Sequence, residues 1–217
     1  MADANAPAKP QFEPMTTPLA RLSFPSLDKA TKMAGSQGQE TFHATLLFSP
    51  ADFSPADVER WKRIKLAIAQ CMHGKFGAAA FDPQTKRLNT GFRSPIRLGT
   101  EKPGTPGYGA GVEFFKAGSQ YKPGLTNPLK IAIPVSELYA GCFVRGTVSP
   151  WAYSNSGNKG VSLNLHNVMK IADGEAFGNA GVSIESDFGD LTADEMRFDD
   201  PMGQIMPGDG APDDFQL

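Results

Sequence analysis

The chain has 217 residues, 40% of them hydrophobic, enough for one domain with extensions, or at most two small ones, to bury a core. No run approaches the roughly 20 apolar residues of a helical membrane span, so a helical membrane protein is excluded. The formal charge of −2 conceals a division: residues 1–180 hold 20 Lys/Arg against 13 Asp/Glu, a balance of +7, and residues 181–217 hold 1 against 10, a balance of −9.

The first stretch, MADANAPAKPQFEP, lacks the apolar core of a signal peptide and reads as a flexible leader over 1–18, which places the protein in the cytoplasm. From Leu19 to Leu27, Leu22 and Phe24 alternate with Ser23, a strand ended or edged by Pro25. The polar LDKATKMAGSQGQE follows as an excursion, and then Thr41–Phe48 alternates again, with Phe42, Ala44, Leu46 and Phe48 on one face and His43 on the other. A single His on a wet face is read as solvated or satisfied, not as a ligand.

FSPADVERWKRIKLAIAQCMHG carries the helix signal. Ser54 is the expected N-cap, Pro55 the first helical position, Asp57 the third, and Gly74 lies near the C-terminal cap. Phe53 and Val58 have the spacing of a hydrophobic staple. Val58, Trp61, Ile64 or Lys65, Ile68, Cys71 and Met72 fall on one stripe, so the helix is expected to plug one face or end of a sheet with Trp61 in the core. Cys71 and Cys142 both fall on apolar faces and read as reduced core thiols.

Gly74 to Gly124 is rich in Gly, Pro, Lys and Arg and predicts long basic loops with one strand inside them, Ala110–Ala117. Here Phe92, Tyr108, Phe114, Phe115 and Tyr121 are interleaved with Arg93, Arg97, Lys102, Lys116 and Lys122. Asn127–Val135 reads as a further strand, leading through a turn at Ser136–Gly141 into a hairpin. In its first arm Cys142, Val144, Gly146 and Val148 point one way, and Phe143, Arg145, Thr147, Ser149, Trp151 and Tyr153 the other. In the second arm Val161, Leu163, Leu165, Met169 and Ile171 share a face interrupted by Asn167, opposite Ser162, Asn164, His166 and Lys170. SNSGNKG between them supplies the positive-φ residues of a turn and a further cation, Lys159.

The second face of the first arm sets an Arg among three aromatics. Either a helix or sheet covers it, or it is a stacking platform for nucleobases with the cations serving phosphates. After Phe177 the chain becomes acidic and loses periodicity, so 186–217 is expected to be a tail, disordered from Asp194 onward. A basic body with an acidic appendage is the asymmetry found in nucleic-acid-binding proteins.

Signals for enzymatic chemistry are weak. His43, His73, His166, Cys71 and Cys142 have no zinc spacing. Gly107, Gly109 and Gly111 lack the last glycine of a dinucleotide fingerprint and precede a strand instead of a helix; no GxxxxGK[ST] occurs. Asp199, Asp200, Asp213 and Asp214 have no core around them to hold a metal in catalytic geometry. A binding protein with no catalytic residue, metal or cofactor is the expectation.

YAGCFVRGTVSPWAY, GNKGVSLNLHNVMKIADGEAFG and GFRSPIRLGTEKPGTPGYGAG resemble a bacteriophage family of single-stranded DNA-binding proteins, over roughly Leu19 to Gly178. The resemblance implies a mainly β oligonucleotide-binding (OB) fold over 19–185, a five-stranded barrel with one main helix, acting in phage DNA replication or recombination inside an infected bacterial host. The residue pattern agrees with it on mechanism: Phe143, Trp151 and Tyr153 are the candidates for base stacking, Arg93, Arg97, Lys116, Lys122, Arg145 and Lys159 those for phosphates, and Phe92, Tyr108 and Tyr121 are further DNA-binding candidates. The ending DDFQL is similar to the tips through which such proteins recruit replication enzymes, making Asp213, Asp214 and Phe215 candidates for partner docking. It departs from that pattern because Gln216 and Leu217 follow the Phe. Two alternatives stay open: a scaffolding module or homodimer that hides Trp151 and Tyr153 in a protein interface, and an RNA-binding OB module.

Overall fold

The computed structural model describes residues 12–32, 39–85, 87–155 and 157–178. The expectations for the acidic tail, including Asp213, Asp214 and Phe215, lie outside those residues. Among the described residues nine strands and one long helix are formed: β1 Met15–Thr16, β2 Ala20–Thr31, β3 Thr41–Phe48, α1 Pro55–Phe76, β4 Phe92–Arg93, β5 Arg97–Leu98, β6 Glu113–Ser119, β7 Gly124–Thr126, β8 Phe143–Asn155 and β9 Asn158–Ala172. Five of the strands close a ring. β8 pairs with β2, β2 with β3, β3 with β6, β6 in parallel with β9, and β9 returns to β8. This ring with one helix agrees with the OB fold that the resemblance implies; β1, β4, β5 and β7 are short additions at its edges.

The alternation of side chains fills the ring. Leu22 from β2, Ala44, Leu46 and Phe48 from β3, Phe115 and Ala117 from β6, Val144 and Val148 from β8, and Val161, Leu163 and Leu165 from β9 are all buried in one cluster. Helix α1 closes it with Trp61, Ile64, Ile68, Cys71 and Met72. Trp61 stacks at 6.0 Å on Phe115 and lies 4.6 Å from Phe48, and its Nε1–H donates to Glu113 at 3.2 Å, which satisfies the indole's one polar group. Each such ring contributes about 1.5–3 kcal/mol by leaving water. Cys71 and Cys142 are separate buried free thiols.

The helix starts where expected. Ser54 Oγ accepts from the Asp57 N–H at 3.2 Å and Pro55 fills the first turn. It runs through Gly74 and ends instead at Gly77, whose φ of 65° is open to glycine and whose N–H donates to the His73 carbonyl. Two strand expectations are corrected. Asn127–Val135 is not a strand: Pro128 and Pro134 cannot donate to a ladder, and Asn127 Oδ1 accepts from the N–H groups of Leu129 and Ile131, both at 3.0 Å, which folds the chain into a loop with Lys130 at φ 63°. In β9 the alternation inverts. The partner of Thr147 is Asn167 but that of Val148 is Leu165, leaving His166 as an extra residue in a bulge. Beyond it Val168 is the buried residue, and Met169 and Ile171 are only partly covered.

Candidate nucleic-acid interface

Side chains on the outer face of the ring are fixed by register. Ser23 lies opposite Thr45, and Thr45 opposite Lys116. One step before the Ala117–Leu163 pair, Lys116 comes beside Ser162, which lies opposite Trp151. A second row joins Arg21, Leu47, Phe114 and Arg97. The outer face therefore carries cations, hydroxyls and rings in a fixed order around the ring.

Part of that face is covered by the loop between Leu98 and Glu113, which folds back because the Gly99 N–H donates to the Val112 carbonyl at 2.7 Å. Tyr108 from this loop meets Phe114 edge-on at 5.0 Å, and its hydroxyl reaches Ser23 Oγ at 3.3 Å; burial raises its pKa. The Lys102 ammonium lies over three rings, 4.9 Å from Phe24, 4.9 Å from Tyr108 and 5.4 Å from Phe114. Arg97 lies 5.3 Å over Phe114 and forks onto Glu101 at 2.9 and 2.7 Å, holding that carboxyl below its ordinary pKa. Burial, then the charge of Arg97, pushes the Lys102 pKa down, and burial, then the charge of Lys102, does the same to Lys116. Burial and Lys116 lower His43 in turn. Neither Lys102 nor Lys116 has a carboxylate within ion-pair distance among the described residues. Arg97, Lys102 and Lys116 around a single carboxylate leave a half-buried cationic patch that an anion would relieve.

A second group sits at the free end of the β8–β9 hairpin. Trp151 is 45% exposed, and its ring centroid is 5.9 Å from that of Tyr153 at a 56° tilt. Tyr153 crosses the strand above Gly160, where a side chain would lie 2.9 Å from the tyrosine oxygen and 2.5 Å from the Arg93 carbonyl. Lys159 and Arg93 flank this pair, both exposed. The structure thus brings Arg97, Tyr108 and Lys116 together at one place and Arg93, Trp151, Tyr153 and Lys159 at another. Tyr121, 82% exposed, and Lys122, 3.3 Å from Asp28, are apart from both, at the tip of β2–β3.

Three candidates are turned to structural use. Arg145 meets the Asp57 carboxylate with both nitrogens, at 2.6 and 3.1 Å, and donates to the Thr17 carbonyl at 3.0 Å. Its guanidinium is spent on the first turn of α1 instead of facing outward. Phe92 is partly buried against the core and meets Phe76 edge-on at 5.1 Å. Phe143 lies under Gly174 and 4.9 Å from the Arg21 guanidinium, which a second ring, Phe177, covers at 4.5 Å. Phe177 in turn packs on Gly107, where only a glycine leaves room. Two residues of the outer face were not among the candidates, Phe24 and Lys102. Lys102 was visible in the basic aromatic loop; Phe24 was hidden because its alternation with Leu22 placed it in a plain strand.

Among the described residues no group of three or more His, Cys, Asp or Glu side chains is placed to hold a metal, and no helix is long and apolar enough to cross a membrane.

The family of the single-stranded DNA-binding protein of Enterobacter phage Enc34 matches residues 14–198. The chain is 30% identical over 178 residues to putative protein p50 of Acyrthosiphon pisum secondary endosymbiont phage 1, covering 81% of this chain and 92% of that protein. Among solved structures it is similar to the single-stranded DNA-binding protein of bacteriophage Enc34 in complex with single-stranded DNA, with a TM-score of 0.61 and 25% identity over 75% of this chain and 88% of that one. It shares the fold of gp2.5, a single-stranded DNA-binding protein encoded by bacteriophage T7, with a TM-score of 0.55 and 13% identity over 79% of this chain and 98% of that one. By its match over residues 14–198, the chain belongs to the phage family of single-stranded DNA-binding proteins that the Enc34 protein represents.

Proposed function

We propose that this protein binds single-stranded DNA without sequence preference on the outer face of its five-stranded ring, in phage DNA replication or recombination in the cytoplasm of the infected host. The observation that carries the reading is the patch of Lys102 and Lys116, two half-buried cations that have no carboxylate partner among the described residues and lie beside Tyr108 and Phe114. Phosphates satisfy the cations, and bases find a platform at Trp151 and Tyr153, with Arg93 and Lys159 beside it. Stacking contributes about 1–3 kcal/mol per base, and micromolar affinity corresponds to about 8 kcal/mol, so a few stacks plus phosphate contacts reach that range after ordering costs. No step of this function calls for a catalytic group or a cofactor.

The charge of −9 on residues 181–217 supports a second part of the proposal. That segment competes with DNA for the basic body at low salt, and its end, with Asp213, Asp214 and Phe215, docks replication or recombination proteins. Removing Asp209–Leu217 is expected to tighten DNA binding at low salt, and unchanged affinity would refute the competition.

The test of the main reading is a fluorescence titration with single-stranded DNA, duplex DNA and matched RNA. Tight binding of the single DNA strand is expected. Preference for RNA would assign the face to an RNA-binding module, and no binding with a homodimer in solution would assign Trp151 and Tyr153 to a protein interface.

A further inference from the structure

Phe24 combines two costs that the fold does not require. Its φ is 43°, the left-handed region where an L residue is less stable by about 1–2 kcal/mol and where glycine is at ease. The ring is also 56% exposed. The backbone conformation follows from a bulge: Ser23 lies opposite Thr45 but Ser26 opposite His43, so Phe24 and Pro25 together face the single residue Ala44. A bulge explains the φ and would be satisfied by glycine. It does not explain a large ring at that position.

What surrounds the ring does. Tyr108 lies 6.4 Å away at a 40° tilt, and the Lys102 ammonium is 4.9 Å from both rings. Ser23, the residue before it, ends the row that runs through Thr45 to Lys116. An exposed ring with a cation beside it, at the end of a hydroxyl and cation row, has the parts of a nucleotide site: a face for the base and an ammonium for its phosphate. Backbone strain held at such a place is the kind retained where the side chain has work to do.

We propose that Phe24 is a base-stacking wedge, a nucleotide site separate from Trp151 and Tyr153, with Lys102 as the phosphate contact of the nucleotide stacked there. The inference rests on the reading that this face binds single-stranded DNA. A stacked base lies against the exposed side of the Phe24 ring, and duplex DNA, whose bases are already stacked on one another, does not use it.

The experiment compares wild type, Phe24→Gly and Phe24→Trp in thermal melting and in titrations with oligo-dT and an abasic oligonucleotide of equal length. Phe24→Gly is expected to melt no lower than wild type, to bind oligo-dT about tenfold more weakly and to bind the abasic strand unchanged. Phe24→Trp is expected to keep wild-type affinity for oligo-dT. Wild-type binding with an unaltered Phe24→Gly overturns the wedge alone, as does an equal loss for both oligonucleotides. A sharp fall in the melting temperature of Phe24→Gly makes the ring a structural prop and also overturns it. A wild-type protein that binds neither oligonucleotide overturns the proposed function, and the wedge with it.

Discussion

The carboxylate of Asp57, in the first turn of α1, and the guanidinium of Arg145, near the start of β8, meet in a two-pronged pair, Oδ1 to Nη1 at 2.6 Å and Oδ2 to Nη2 at 3.1 Å. Asp57 is buried and takes a further ion pair from Arg60 at 2.9 Å. Removing the Arg145 guanidinium leaves the buried Asp57 carboxylate with Arg60 as its remaining ion-pair partner, so the cost stays below the about 3–5 kcal/mol of a buried charge left wholly unpaired. Arg145→Met is therefore expected to lower unfolding free energy by about 1.5–3 kcal/mol, the contribution of a charge-assisted hydrogen-bonded contact, in urea titrations. The DNA affinity of its folded fraction is expected to match wild type. An unchanged stability with weakened DNA binding would return Arg145 to the phosphate-binding set.

The same pair makes stability depend on acid. Arg145, aided by Arg60 and Ser54, holds the Asp57 carboxyl at about 2, below the 3.8 of an unperturbed Asp. A depressed carboxylate contributes stability that is fully present above its unfolded value and is lost as the pH falls through the folded one. The window is from about pH 4 down to about pH 2, and at 1.36 kcal/mol per unit the contribution is about 2 kcal/mol. Asp57→Asn is expected to be less stable at neutral pH and to show a shallower loss across that window. An equal acid slope in both proteins would show that Asp57 does not supply it.

Which parts of this structure are readable from sequence follows from how far apart the interacting residues lie. Thr41–Phe48 is a strand with the expected faces, and α1 begins at Ser54 and Pro55, because alternation and capping are local. The Asp57–Arg145 pair joins residues 88 positions apart, and no local pattern marks it. Arg145 in an aromatic strand looks the same whether a phosphate or a helix meets it. The β9 bulge at His166 is equally hidden: the run from Val161 to Ile171 contains no Gly or Pro to mark the extra residue, so the sequence alternation runs straight through it. That Trp151 and Tyr153 lie on one side of the strand is legible in the sequence because β8 keeps its alternation past Pro150. The placement of Tyr108 and Lys102 over Phe24 depends on a loop closed by the Gly99–Val112 hydrogen bond, which only the folded chain shows.

Salt dependence measures how many cations serve phosphates. If about four are neutralised, log affinity for a single strand falls with log salt at a slope near −2.8, roughly 50-fold between 50 and 200 mM. Lys102→Gln and Lys116→Gln are each expected to make the slope shallower by about 0.7. Arg145→Met is expected to leave it alone, since that guanidinium is held by Asp57. A titration with no salt dependence, or lysine variants with the wild-type slope, would remove the outer-face patch from the binding site.

The two tryptophans separate stacking from mere proximity of DNA. Trp61 is 5% exposed and enclosed by Phe48, Phe53 and Phe115, so a bound base has no path to it, whereas Trp151 is 45% exposed beside Tyr153. Stacking quenches indole emission, so oligo-dT is expected to quench the Trp151 share of the fluorescence and spare that of Trp61. In Trp151→Phe the quench should vanish while binding, followed by anisotropy of a labelled strand, persists, because phenylalanine still offers a ring. Trp151→Ala should lose about tenfold in affinity, from the roughly 1–3 kcal/mol of one stacked base. A quench that survives in Trp151→Phe would place the DNA near Trp61 and against the helix, and the outer face of β8 and β9 would no longer be its platform.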